Sequence, residues 1–402
     1  MAVAGIVAEY NPFHTGHAYQ IAQTRAELGE NVPVVAVMSG NWVQQADCAA
    51  ADKWTRARLA MLGGADLVLE LPTLWATASA EAFAWGAVCL LEATGVVDVL
   101  SFGSECGRVD QLERAAFCLD HPSCQAELRR FLDQGLSFAA ARQAALGEQG
   151  GEELAALLAS PNNNLGVEYI RSLHRQNSGI RPVTVRREGA AHGSLTAGGE
   201  KPRFLSATQI RSYLERGEWN TVCPYLPDGG LEVLKGAWNG FPSLSRLERA
   251  MLARVRTMDE ADWAALTDSG AGEGLPRRLV RAGRSARSME EFYTRTKTRR
   301  YTHARLRRLV LRAYLGIRRE MWPDSPPYLR VLGFNERGQD LLKRMRKEAR
   351  LPVVTKPAHA HRLDETGRRL FELEARCTDL YDLCLENIPV PGREWTTGPV
   401  QL

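Results

Sequence analysis

No two cysteines in this 402-residue chain stand in a C-x-x-C pair, and no cysteine–histidine grouping has zinc-site spacing. The eight cysteines, at 48, 89, 106, 118, 124, 223, 377 and 384, are scattered. That excludes a small disulfide-framed domain and a structural zinc site, and it reads as reduced thiols in a cytoplasmic protein. Long apolar runs are also missing. Stretches such as Phe83–Leu91 fall well short of the roughly 20 residues that cross a bilayer, so no membrane partner is expected. No basic leader precedes the first apolar run, so a signal peptide is not expected either. Internal repeats are absent. A further scarcity is local: between Arg277 and Arg312 the only acidic residues are Glu290 and Glu291.

What is present begins with Val3-Ala-Gly-Ile-Val7, a short apolar run that suits a buried parallel strand. Asn11-Pro12 ends it, and Tyr19, Ile21, Ala22 and Ala26 then recur at helical spacing. A tight loop therefore opens a helix that carries His14 and His17 at its start. A helix N-terminus offers free N–H groups and the positive end of the macrodipole, which makes it an anion site. Two imidazoles at i and i+3 add donors, and Gly16 leaves room for close backbone approach. The chemistry this suits is stabilising charge on a triphosphate whose α-phosphorus is attacked, with His14 and His17 as the catalytic pair. A plain capped helix would need nothing beyond the same residues.

Further strands are expected at Val32–Met38, Ala65–Pro72, Val96–Phe102 and Arg181–Arg187, with helices from Asp52 to Leu62 and Ala78 to Ala93 between them. This alternation predicts an α/β fold, an open parallel Rossmann-like domain followed by an α-helical domain. Ligands of such sheets sit at the carboxyl ends of the strands, here Asn11–His17, Ser39–Asn41 and Gly103–Glu105. Helical sequence from Val109 to Leu157 is broken at Gly135 and Gly147–Gly151. A segment with four glycines, 189–201, predicts a mobile loop. Ser206-Ala-Thr-Gln-Ile-Arg211 then opens a helix with two hydroxyls and an arginine on its first turns, a setting for β- and γ-phosphates. From about Ser243 the pattern predicts helices without strands, and the tail from Ile388 predicts extended or disordered chain.

The arginine-rich span Arg277–Arg312 interleaves Tyr293 and Tyr301 among thirteen basic residues. Phosphate backbones attract such a pattern, and tyrosines can stack on unpaired bases. Arg295, Lys297, Arg299, Arg300, Tyr301 and Arg305 are the candidate nucleic-acid contacts.

The His-x-Gly-His turn paired with the later Ser-Ala-Thr-Gln-Ile-Arg turn resembles the two signatures of the nucleotidyltransferase superfamily. Ala8–His17, Ser39–Gln44, Asp52–Arg56, Phe102–Glu105, Ser160–Tyr169, Thr298–Thr302 and Tyr328–Asn335 are similar, in order, to motifs of the bacterial tRNA(Met) cytidine acetate ligases. Two departures stand out: Gln45-Ala46-Asp47-Cys48 replaces the usual Arg-Gly-x-Pro, and Ala190-Ala191-His192-Gly193 replaces Gly-x-Tyr-His. The resemblance implies an enzyme that makes acetyl-adenylate from acetate and ATP, then acetylates N4 of the wobble cytidine in elongator tRNA(Met). It implies ATP held by Val7, Ala8, Glu9, Tyr10, Asn11, Pro12, Phe13, His14, Thr15, Gly16, His17, Ala18, Tyr19 and Gln20, with Gly103, Asn162, Arg186, Arg187, Ser206, Thr208 and Arg211. Mg²⁺ would accompany the triphosphate, with no metal ligands of the chain's own, and DNA is not expected as a partner. The expected division is a catalytic domain over 1–226 and a helical, basic, tRNA-binding domain over 227–402. Two other readings remain open at this point: adenylation of a small metabolite, and RNA binding with a vestigial nucleotide site.

Overall fold

The computed structural model describes residues 2–188 and 203–402, so the whole 189–201 segment, and His192 with it, lies outside the described residues. Five segments, four of them apolar runs, form the parallel heart of one sheet. They are β1 (Ala4–Ala8), β2 (Val34–Ser39), then, after the small hairpin of β3 (Trp42–Val43) and β4 (Asp47–Cys48), β5 (Leu67–Leu71), β6 (Val99–Ser104) and β7 (Arg181–Arg186). Three later strands, β8 (Leu329–Phe334), β9 (Val353–Val354) and β10 (Val400–Gln401), extend one edge. The order is β10-β8-β5-β2-β1-β6-β7, with β9 also paired to β8. Every pairing in this sheet is parallel except β5 with β8.

β1, β2, β5 and β6 read as continuous apolar runs because both faces are covered, whereas β7 alternates. Val7, Val35, Val37 and Leu69 enter one core, while Ile6, Val34, Ala36 and Val68 enter the other. Helix Ala80–Ala93 lies so close to β1 that a Cβ on Gly5 would come within 2.8 Å of Leu91 Cδ2. From β1 the chain goes to β2 on one side and later to β6 on the other, so the crevice beyond their carboxyl ends is a topological switch point.

The strand-free reading of the chain beyond Ser243 is corrected here. Helices Glu248–Thr257, Leu275–Ser285, Met289–Thr296 and His303–Leu315 do pack together around buried Trp263, Phe292, Leu306 and Leu309. After them, however, the apolar run Leu329–Phe334 is a strand, and Asn335 caps the next helix by accepting the Gly338 N–H. The tail is not disordered either. Arg393–Thr396 forms a helical turn, and Val400 and Gln401 pair with Gly333 and Phe334.

That turn buries Glu394 completely, 2.5 Å from Lys53 Nζ, which in turn lies 2.7 Å from Glu70 on β5. Arg330 of β8 approaches the same carboxylate, and Glu374 caps buried Thr73 through its N–H and hydroxyl. Burial raises Glu70 and Glu374, whereas Lys53 and Arg330 outweigh burial at Glu394 and pull it below the ordinary range. Glu394 is thus the carboxylate of the three whose charged form the network favours.

Candidate functional site

The switch-point crevice is built by the loop after β1. Tyr10, at φ 45°, sits in the left-handed region and turns the chain immediately past Glu9. Its ring packs edge-on against Phe13 and His17, with centroids 4.8 and 4.9 Å away. Phe13 is fully buried against Gly63, where a Cβ would lie 2.0 Å from the ring. Asn11 accepts the Ala50 N–H at 2.7 Å. Tyr10, Asn11, Pro12 and Phe13 therefore spend their side chains shaping the loop. Val7 and Ala8 are sheet residues in register with Val37 and Met38.

Helix Thr15–Leu28 begins with a capping box made of imidazoles. His14 Nδ1 accepts the Gly16 N–H at 3.0 Å, and His17 Nδ1 accepts the His14 N–H at 3.2 Å. Both Nδ1 lone pairs are thereby used, so each neutral ring carries its proton on Nε2. The rings lie 3.8 Å apart. Burial, assisted by the Arg187 charge, pushes His14 down to about 4; burial, His14 and Arg187 lower His17 further below its ordinary range. The pair is neutral near pH 7 and offers two Nε2–H donors. Gly16 is required differently from the expectation: its missing Cβ would sit 2.8 Å from His14 Cε1, so the space goes to the folded-back imidazole. Thr15 Oγ1 is buried without a partner among the described residues. Ala18 and Tyr19 are half-buried, with the Tyr19 ring 5.5 Å from Phe204, and Gln20 Nε2 ties the helix to Ser101 O of β6 at 3.3 Å.

Gly103 on β6 faces Arg187, whose backbone N–H bonds Ser104 O at 2.9 Å. Arg186 diverges: its stem packs at Gly107, and the charge felt by the histidines is that of Arg187. Asn162 Nδ2 donates to Glu105 Oε1 at 2.7 Å, and Glu105 caps helix Pro161–Arg175 through the Asn162 and Asn163 N–H groups. Ser206 and Gln209 make a conventional capping box, and Arg211 brings that helix to the crevice by donating to Asn11 O at 2.9 Å and Thr208 Oγ1 at 3.1 Å.

Arg56, the last residue of the Asp52–Arg56 motif, is not among the expected nucleotide contacts. It is buried, and it donates to Ala51 O, Glu9 O, Ser39 O and Gly40 O, joining the loops after β1 and β2. Its partners are backbone carbonyls, which leave no mark in a sequence.

The basic helices answer differently from expectation. Tyr301 is 7% exposed and its hydroxyl bonds Glu273 O, so its ring is not offered for base stacking. Arg305 holds Asp268 O and Glu273, and Arg295 is engaged by Glu291. Lys297, Arg299 and Arg300 are exposed, with Arg300 only loosely paired to Glu273 at 3.6 Å. A groove of about 290 Å³ lined by Arg277, Arg278, Arg281, Ser285 and Arg295 adds a cationic surface that the candidate contacts missed. Arg307 reaches Asp47 of the cleft hairpin at 3.3 Å, so the basic helices adjoin the crevice.

The family model described as HIGH Nucleotidyl Transferase matches residues 1–392. The chain is 36% identical over 411 residues to the tRNA(Met) cytidine acetate ligase of Thermoanaerobacter sp. (strain X514), covering 100% of both chains. It is 37% identical to the protein of the same name from Caldanaerobacter subterraneus subsp. tengcongensis, over 97% of each. Among solved structures it is similar to Thermotoga maritima TmcAL bound with alpha-thio ATP, with a TM-score of 0.89, 34% identity and 100% of both chains covered. With the strand order, the histidine turn and these full-length similarities together, the chain belongs to the HIGH nucleotidyl transferases and, among them, to the family of tRNA(Met) cytidine acetate ligases.

Proposed function

We propose that this chain is an ATP-dependent ligase that forms acetyl-adenylate from acetate and then acetylates N4 of the wobble cytidine of elongator tRNA(Met). The observation that carries the reading is the pair of Nε2–H donors of His14 and His17, fixed by their own backbone bonds at the switch-point crevice. The full-length similarity to TmcAL bound with alpha-thio ATP supports it.

In the first step an acetate oxygen attacks the α-phosphorus, and pyrophosphate leaves. Negative charge then grows on the departing phosphates, where neutral donors, the helix N-terminus, Arg187 and Arg211 stabilise it. Donors fixed before reaction cost no reorganisation as the charge develops. The Val7–Gln20 segment, Gly103, Asn162 and Arg187 hold the nucleotide, with Arg186, Ser206 and Thr208 at its margin; Asn162 must exchange its Glu105 bond to do so. Among the described residues no group of three or more acidic, histidine or cysteine side chains could hold a metal. On this reading Mg²⁺ accompanies the triphosphate, whose oxygens and water suit it.

Residues 1–226 supply this chemistry, and the basic helices of 227–402 take the anticodon stem, close to the crevice through the Arg307–Asp47 contact. On this reading the protein works with tRNA in the cytoplasm; no described helix is long and apolar enough to cross a membrane. The test is mass-spectrometric nucleoside analysis of elongator tRNA(Met) incubated with the protein, ATP and labelled acetate. Labelled N4-acetylcytidine is expected at one position, and its absence refutes the reading.

A further inference from the structure

The second half of the proposed reaction releases a proton, because an exocyclic amine becomes an amide. A carboxylate beside the reacting amine can accept it. The histidines do not qualify: each Nδ1 is occupied by a backbone N–H, and each Nε2 already carries hydrogen. Asp47 is spent on the Cys48 N–H and Arg307, and Glu105 on the turn at Asn162–Asn163. Glu9 differs. It is half-buried at the carboxyl end of β1, and Arg56 holds its carbonyl at 2.6 Å. Its Oε1 accepts the Gln44 N–H at 2.7 Å, while Oε2 has no hydrogen-bond partner among the described residues. A carboxylate also suits the donor edge of cytosine, whose N4 amine it can accept.

Resting on the ligase reading above, we propose that Glu9 is the catalytic base of acetyl transfer and the acceptor that seats the cytosine N4 amine. The amine nitrogen bonds to the acetyl carbonyl carbon, and one N4 proton passes to Glu9 Oε2. The bond from that carbon to the adenylate oxygen then breaks, and AMP leaves as its anion. The protonated Glu9 returns its proton to water.

The surroundings agree. Burial raises the Glu9 carboxyl above its ordinary range, against the lowering by the Gln44 N–H, Arg56 and Arg211, and with Asp47 and Tyr169 also facing it. A raised value brings a base closer to the pH at which it works. Transfer is then expected to gain rate with rising pH along a limb that lies above the ordinary glutamate range.

The experiment gives the full chain chemically prepared acetyl-adenylate with elongator tRNA(Met) and follows single-turnover transfer across pH. Adenylate formation from ATP and acetate is measured beside it. Glu9→Gln is expected to slow transfer by about 10²–10³-fold and to abolish the limb. Its adenylate formation should fall by a factor at least ~10 smaller. Glu9→Asp should transfer slowly and keep the limb. Equal losses in both steps, unchanged transfer, or a limb that persists in Glu9→Gln overturns the assignment. Wild-type protein that cannot transfer from acetyl-adenylate overturns the ligase reading itself, and the role of Glu9 with it.

Discussion

On the proposed reading the strand-end crevice and the arginine-rich helices both meet phosphate, yet they are built on opposite plans. In the crevice the donors are neutral or tethered. His14 and His17 are uncharged rings locked by backbone bonds, Arg56 is consumed by carbonyls, and Arg211 is pinned to Asn11. On the helices Arg277, Arg281, Arg284 and Arg299 stand exposed on flexible stems. The first plan fixes dipoles where charge will develop; the second attracts a polyanion by releasing its counterions. The same formal charge therefore serves geometry in one place and affinity in the other.

Arg56→Ala is the strongest way to break the contrast, since it leaves the Glu9, Ser39 and Gly40 carbonyls without their donor. A loss of about 3 kcal/mol or more is expected in urea unfolding, together with loss of adenylate formation. Arg56→Lys should rescue little, because one ammonium cannot span those carbonyls. Next, His14→Ala and His17→Ala should each cut acetate-dependent ATP–pyrophosphate exchange by about 10²–10³-fold, with a native circular dichroism spectrum. Near-normal exchange in both would remove them from the chemistry.

A pH series sharpens the claim that the rings are neutral. His14 has a folded value of about 4 against an unfolded value of about 6.5, so the unfolded chain binds its proton first. Its contribution to stability is present above pH 6.5 and is lost as pH falls toward 4. The difference in unfolding free energy between wild type and His14→Ala should change by roughly 3 kcal/mol across that window, and a flat difference would refute neutral burial. The smallest effects lie on the helices. Charge reversal at Arg299 should reduce the log–log salt slope of tRNA binding by about one unit, and reversal at Arg300, already near Glu273, by less. Filter binding over a salt series reads this directly; an unchanged slope makes the surface merely solvated.

These contrasts also mark what could be read beforehand. β1, β2, β5 and β6 were legible because each is a short apolar run with a turn behind it, β7 because its residues alternate, and Asp52 and Ser206 cap their helices as local spacing dictates. Arg56 was not, because its partners are carbonyls contributed by folding. Tyr301 looked like a stacking platform until the helical core claimed its ring. Glu105 reaches Asn162 across 57 residues, and no window of sequence spans such a pairing. β10 was missed for a related reason: a two-residue edge strand acquires its identity from the neighbour it pairs with, whereas β8 is a six-residue apolar run that was overlooked among helical segments.

Asp52 pairs with Arg393 across 341 residues, and Lys53 meets Glu394 beside it. On a ribosome adding ~5–20 residues per second, the partners of that helix start emerge roughly 20–70 s after it does. Helix Lys53–Leu62 is the one that carries Arg56 and so holds the crevice loops. A nascent chain therefore holds Lys53 against Glu70 alone until residues 393 and 394 arrive. The helix that ties the crevice loops gains its last two ionic partners only when synthesis reaches them.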